Sequence, residues 1–326
     1  MMKAAKLLLA ATLMGALATV DAHAQSDNYP NRPVTVIMPF AGGSASDVIT
    51  RILLDRMSRN LGQPFVVDNR PGAGGNTGTA AAAKATPDGY TLLVSSSGPL
   101  AANKTLFKSL PYEPEKDFTP VSLFAVMPNV VVVNSKLPPK TLSEFISYAK
   151  AHPKQLNYGS VGVGSSQHLA GAYFDQLAGV ELVHVPYRNI AQYTPDFIAG
   201  QVPIGFQLLP NVSALLQSGD ARPLAVTSDK RMTALPDVPT AEEAGLMNYQ
   251  TGAWFALLEP AGMPKPIVDK LYAALAEAVK DPEVRKRLTE QGAEPSSPGP
   301  DHLKTFIATE TIKQRDIIRK AGVEPM

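Results

Sequence analysis

The amino-acid sequence predicts an α/β fold divided into two lobes, on three observations. Short apolar runs alternate along the chain with segments of helical spacing, the pattern of sheets covered on both faces by helices. Two glycine- and serine-rich stretches, PFAGGSASD from Pro39 to Asp47 and YGSVGVGSSQHL from Tyr158 to Leu169, each follow such a run and open a helix-like segment. The chain has 326 residues, 44% of them hydrophobic. That length and content suit two cores of ~150 residues each.

The N-terminus reads as a targeting segment. Lys3 and Lys6 precede an apolar run from Leu7 to Val20, and Ala22-His23-Ala24 supplies the small residues that signal peptidase accepts. Residues 1–24 are therefore expected to be a signal peptide cleaved before Gln25. A retained anchor is disfavoured, because the run is shorter than the ~20 residues needed to cross a bilayer. Cleavage removes two lysines and one aspartate and leaves a formally neutral chain. Such a balance steers nothing toward nucleic acid or anionic lipid. The chain holds no cysteine, so it has no lipid-bearing cysteine, no disulfide framework and no thiolate metal site. A soluble protein outside the cytoplasm is expected.

Strands are predicted at Val34 to Met38, Phe65 to Asp68, Thr91 to Ser95, Val130 to Val133, Leu182 to Val185, Ile204 to Leu208, Leu224 to Thr227 and Ala253 to Leu257. Between them, Asp47 to Leu61 places apolar residues at Val48, Ile52, Leu53 and Met57, with Gly62 as the stop. The same logic predicts helices over Leu142 to Ala151, Gln167 to Ala178, Pro264 to Lys280 and His302 to Lys320. There is no repeat of solenoid period, and the one biased tract is the alanine run Ala80 to Ala83.

The two loops carry the functional signal. Glycine lets a backbone approach a ligand without a Cβ in the way, and the first amides of a helix point outward with the positive end of the dipole behind them. Strand, glycine turn and helix together make an anion site. One such turn is common in α/β proteins; two of them point to a carboxylate held between two lobes.

Several further blocks, among them LGQPFVVDNRPGAGGNTGT, PDGYTLLVSSSGPLAAN, VHVPYR, LAVTSDKRMTALPDVPTAEEAGL and WFALLEPAGMPKPIVDKL, lie in order along the whole mature chain. Together with the two loops they resemble the extracytoplasmic solute receptors of tripartite tricarboxylate transporters, the Bug family. The resemblance implies a periplasmic binding protein of type II-like fold, a monomer with two α/β lobes, a two-strand hinge and an interlobe cleft. It further implies a small carboxylate held by loop amides, hydroxyls and bridging water, then passed to a large and a small integral membrane subunit. No cofactor and no metal is implied. With hinge crossings near Pro120 to Pro128 and Leu224 to Ser228, residues 25–122 and 228–326 would form lobe one and residues 123–227 lobe two.

Within that frame the candidate ligand contacts are Phe40, Gly42, Gly43, Ser44, Ala45, Ser96, Ser97, Gly164, Ser165, Ser166, His168, Arg188 and Gln207. Amides of Gly42 to Ala45 and the hydroxyls of Ser44 and Ser46 would cradle one carboxylate. Asp47 is read as the N-cap of the following helix. Phe40 either lines the cleft or fills a core. Ser96 and Ser97 lie at the carboxyl end of a strand, where α/β sheets place ligands. The Pro71 to Asn76 loop is either a further contact or a structural turn. Across the cleft, Gly164, Ser165 and Ser166 offer amides and hydroxyls, with His168 read as structural more readily than as a donor. Arg188 is either a bidentate carboxylate clamp or a surface charge.

Two departures from the family pattern bear on the solute. Many relatives carry an acidic residue near Ile204 to Leu208 and a glycine after the Pro-Tyr-basic motif; here Gln207 and Asn189 stand at those places. Without that acid an ammonium group loses its partner, and the apolar Phe206, Leu208 and Leu209 suit a flat hydrophobic body. The expectation is an aromatic dicarboxylate such as terephthalate, with aliphatic di- and tricarboxylates and nicotinate-like acids open. An enzyme is not expected. The chain lacks a G-x-S-x-G elbow, a phosphate loop of the G-x-x-x-x-G-K-S/T type and the third glycine of a dinucleotide fingerprint. His152, His168, His184 and His302 show no metal-ligand spacing. A sensor presenting solute to a signalling receptor is the remaining alternative.

Overall fold

The computed structural model describes residues 28–325. The predicted signal peptide lies outside the described residues. Ten strands follow one another as β1 (Val34–Met38), β2 (Phe65–Asn69), β3 (Thr91–Ser96), β4 (Phe118–Asn134), β5 (Asn157–Ser160), β6 (Val183–Pro186), β7 (Ile204–Leu208), β8 (Ala221–Val226), β9 (Gly252–Pro260) and β10 (Glu294–Pro295). The longer helices are α1 (Ala45–Leu61), α2 (Asn76–Ala83), α3 (Leu142–Ala151), α4 (Ser166–Ala178), α5 (Ile190–Ala199), α6 (Leu209–Ser218), α7 (Lys265–Lys280), α8 (Pro282–Glu290) and α9 (Pro300–Lys320).

All ten strands belong to one sheet, with the path β2-β1-β3-β9-β4-β7-β5-β6 and with β8 and β10 also paired to β4. At one end β1 lies parallel between β2 and β3, and at the other β5 lies parallel between β6 and β7. The 17-residue strand β4 joins the two ends. Its first part pairs antiparallel with β9 through Pro128↔Gly252, and its last part, from Asn129 on, pairs with β7 and β8. Each end of the sheet is covered on both faces, and the inner strands β1, β4 and β7 are accordingly mostly apolar, while the edge strands β2 and β6 are partly exposed. In lobe one, Val34, Val36 and Met38 face α1, α7 and α8, while Ile37, Leu93 and Leu258 face α2 and α9. In lobe two, Val131, Val133 and Phe206 face α3 and α4, while Val130 and Val132 face α5 and α6.

The eight predicted strands each overlap an observed one, β5 and β10 are absent from them, and the α/β class stands. Four helices were not predicted. The alanine run that reads as mere composition belongs to α2, and prolines at Pro195, Pro210 and Pro282 obscure α5, α6 and α8. In α6 and α8 the proline sits in the first turn, where its missing N–H costs nothing.

The lobe boundary also differs from expectation. Met232, Val238, Ala241, Leu246 and Tyr249 pack into the two cores of lobe two, although the sequence reading placed residues 228–250 in lobe one. That segment is tied to β8, with the Ala241 N–H donating to Val226 O and the Val226 N–H to Pro239 O. We therefore place the second crossing at Thr251–Gly252, beside the first at Pro128–Asn129. Thr227 fastens the two: its Oγ1 accepts from the Asn129 N–H at 2.9 Å and lies 2.6 Å from Thr251 O.

Candidate ligand-binding site

A cavity of about 660 Å³ opens between the lobes, at the carboxyl ends of β1, β3, β6 and β7. Helices α1 and α4 both start at its wall. Ser44 is the N-cap of α1 and Ser165 the N-cap of α4, each in extended conformation as a cap requires. The cavity therefore faces two helix N-termini from opposite lobes.

The α1 loop is braced by charge. The buried carboxylate of Asp47 accepts from the Gly43 N–H, from Arg51 Nε and from Asn69 Nδ2, each at 2.9 Å. Burial alone would raise this carboxyl, but the hydrogen bonds from Arg51, Gly43 and Asn69 outweigh it and hold the group below the usual carboxylate range. Asp47 is thus not the N-cap expected from the sequence; it sits three residues into the helix side of the turn and reaches back to the loop amide. Gly42 and Gly43, expected as contacts, lie outside the cavity wall, because the Gly43 amide is turned to Asp47. Ser44 and Ala45 line the cavity, and the Ser44 and Ser46 hydroxyls stand 3.0 Å apart.

The α4 loop is braced by neutral groups. Ser165 Oγ donates to Gly162 O at 2.7 Å and accepts from the His168 N–H, so its hydroxyl holds the turn as well as facing the cavity. The Gly164 N–H donates to His168 Nδ1 at 3.3 Å, and the His168 ring stacks 4.1 Å from that of His184, which contacts Ser160 Oγ at 2.6 Å. Burial pushes His168 down to about 4, and burial with the neighbouring His168 pushes His184 down to about 3. Both rings are neutral props behind the loop. His168 and Gly164, both expected as contacts, lie behind the cavity wall rather than in it.

Ser96 and Ser166 line the cavity, whereas Ser97 turns to a second, smaller space beside Trp254. Phe40 is a wall residue as well as a core neighbour. Arg188, an exposed residue of the segment after β6, lies on the cavity wall; that segment is pinned by the Tyr187 N–H to Ser160 O and by Tyr187 Oη to Asp196 at 2.6 Å. Among the described residues Arg188 is the one formally charged side chain on the cavity wall. Asn189 caps α5 by accepting from the Gln192 N–H, which gives that departure a structural purpose.

Gln207 is not a wall residue. It is fully buried, donating from Nε2 to Gly159 O at 2.9 Å and accepting from Asn211 Nδ2 at 3.2 Å. Asn211 does line the cavity, and the sequence reading missed it. Its signal was its place three residues after the end of β7, hidden by a proline that reads as a break. The Ala73-Gly74-Gly75 turn, left open between contact and structural turn, is also on the wall, together with Phe107 and Phe255.

The lobes touch where glycine allows it. A Cβ at Gly74 would collide with the Val163 carbonyl oxygen, and one at Gly98 would come within 2.9 Å of Gly164 O. Ala102 and Leu106 of lobe one pack with Leu169 of lobe two and Ile318 of α9. In the described conformation the two lobes are in direct contact.

A two-lobed α/β receptor with an interlobe cavity is the class this architecture defines. The family profile described as tripartite tricarboxylate transporter family receptor matches residues 49–323, and the chain belongs to that family of solute-binding, non-enzymatic receptors. It is 36% identical over 324 residues to protein BugT of Bordetella pertussis, covering 99% of each chain. Among solved structures, Rpa4515 of R. palustris, described with adipate, matches with a TM-score of 0.89 and 36% identity over 91% of this chain and 100% of that one. MatC (Rpa3494) of Rhodopseudomonas palustris, described with bound malate, matches with a TM-score of 0.82 and 38% identity over 89% and 100%. The periplasmic binding protein BugD matches at 0.86 and 34%, over 91% and 100%.

Proposed function

We propose that the protein is a periplasmic receptor that captures a dicarboxylate with an apolar body, an aromatic diacid such as terephthalate above all, and delivers it to the integral subunits of a tripartite tricarboxylate transporter. The observation that carries this reading is the cavity's charge pattern: two helix N-termini and one basic residue, Arg188, with no acidic residue on the wall among the described residues. Such a site stabilises anions and offers an ammonium group nothing. Phe40, Phe107, Phe255 and Leu208 supply flat apolar surface between the polar ends. The relatives described with adipate and malate both hold dicarboxylates. Adipate and terephthalate share a four-carbon path between their carboxyl groups, so a cavity of this kind accommodates either spacing.

Closure follows from the geometry. A diacid docked on Ser44 and Ser96 of lobe one gains Arg188 and the α4 N-terminus only when the lobes meet, so the ligand favours the closed state by that difference in contacts. Calorimetry with terephthalate, adipate, malate, benzoate and lysine tests the reading. Terephthalate bound more tightly than malate and benzoate, with lysine silent, is the expected order. Preference for malate would retain the receptor and overturn the aromatic ligand; silence toward every acid would overturn the carboxylate reading itself.

A further inference from the structure

One chain of protein hydrogen bonds crosses the cleft. Gln207 Nε2 donates to Gly159 O at 2.9 Å, Asn211 Nδ2 donates to Gln207 Oε1 at 3.2 Å, and Asn211 Oδ1 accepts from the Ala45 N–H at 3.0 Å. The first two links lie within lobe two, and the last reaches the first amide of α1 in lobe one. We propose that Asn211, oriented by Gln207, is a latch between the lobes that populates the closed state before ligand arrives and scales the affinity for every ligand alike.

The direction of the bonds argues for a latch rather than a stand-in that ligand displaces. Gln207 is fully buried, and its Nε2 is committed to Gly159 O, so only its oxygen is left for Asn211. The Asn211 side chain must then point its nitrogen back and its oxygen at α1. Swinging it away would strand the buried Gln207 oxygen without a donor, a loss larger than the net gain of one hydrogen bond. Asn211 therefore stays, and the ligand's carboxylate meets the Ser44 and Ser46 side of the turn beside it. Gln207 acts through Asn211 as a positioning residue.

Removing the latch lowers the closed fraction, and apparent affinity falls by that same fraction whatever the ligand. Because the chain has no cysteine, Val66→Cys and Ile198→Cys give one exposed spin-label site on each lobe. Distance distributions recorded without ligand read the closed population directly, independently of which solute binds. In the labelled wild type a closed-distance population is expected. Asn211→Leu should reduce it by roughly fivefold or more, the factor by which terephthalate and malate affinities should also fall together. Ala45→Pro is the second variant: it removes only the N–H at the first helical position, where proline is tolerated, and Ser44 before it is already extended. It should reproduce the Asn211→Leu distribution. Gln207→Leu should match it in the wild-type background and add nothing to Asn211→Leu. Unchanged distributions in both Asn211→Leu and Ala45→Pro would overturn the latch. Tighter ligand binding by Asn211→Leu would overturn it too, by showing that the carboxamide competes with the ligand.

Discussion

The two glycine-serine loops look alike in sequence and are held in different ways. In lobe one, a buried carboxylate gathers Gly43, Arg51 and Asn69, so the turn before α1 is fixed by charge-assisted bonds. In lobe two, the turn before α4 is fixed by a serine cap and the neutral imidazole of His168, with the His184 ring packed beside it. The contrast shows that a helix N-terminus presented to an anion needs a brace behind it, and that the brace is free to vary in chemistry. It also gives the two walls of one cavity different sensitivities to acid and to substitution.

The sharpest way to break this picture is to keep the loops intact and stop them meeting. A Cβ at Gly98 would come 2.9 Å from Gly164 O of the other lobe, with Gly74 O at 3.9 Å. Gly98→Val should weaken ligand binding by about 100-fold by disfavouring the closed state, while the melting temperature without ligand changes little. Equal affinity would mean that the loops do not meet in the bound state.

Next in size is the charged brace. Asp47→Ala leaves the Gly43 amide and one Asn69 N–H without an acceptor, the other Asn69 N–H keeping Phe40 O, and should cost about 2 kcal/mol in urea unfolding. A loss no greater than that of a surface substitution would show that Asp47 does not brace the loop.

The neutral brace is tested by pH. The unfolded imidazole takes up its proton near 6.5 and the folded His168 only near 4. Between those values the unfolded chain binds more protons, so stability falls as pH drops, by about 1.4 kcal/mol per unit for each such histidine. The depressed Asp47 works in a lower window: its contribution is present above the ordinary 3.8 and is lost only as pH falls below it. Burial pushes Asp175 up to about 7 and Glu259 up to about 8, with the opposite slope, so the informative quantity is a difference. His168→Asn, which keeps an acceptor near the Gly164 amide, should flatten the decline between pH 6.5 and 4.5 relative to wild type in thermal unfolding. Parallel profiles would show that His168 is not a buried neutral prop. The smallest effect is expected at Ser96→Ala, about 1 kcal/mol of ligand affinity by calorimetry, since one hydroxyl donor on the wall is lost.

The class, eight of the ten described strands and the two loops were legible in the sequence because each follows from a local pattern: apolar runs, helical spacing, glycine before a helix. Seven of the expected contacts, Phe40, Ser44, Ala45, Ser96, Ser165, Ser166 and Arg188, are on the cavity wall. What was not legible depends on tertiary neighbours. Gln207 sits on a strand facing inward, and only the fold reveals that its amide is committed to Gly159 and Asn211. Asn211 follows a proline that hides a helix start. The lobe boundary slipped because Ser228 to Gln250 contains no strand to signal which sheet it covers, and its apolar residues are scattered among turns.

Strand β4 belongs to both lobes without a break, and this gives the receptor a mechanical character. A pair of domains on flexible linkers swivels freely, but here the pivot is a paired ribbon, clasped at Asn129 and Thr227, that has to bend or twist in order to part the lobes. Such an element behaves as a leaf spring. It restricts the swing to few directions, returns both jaws to the same registration on every cycle, and transmits torque from whatever grips one jaw straight into the angle of the other.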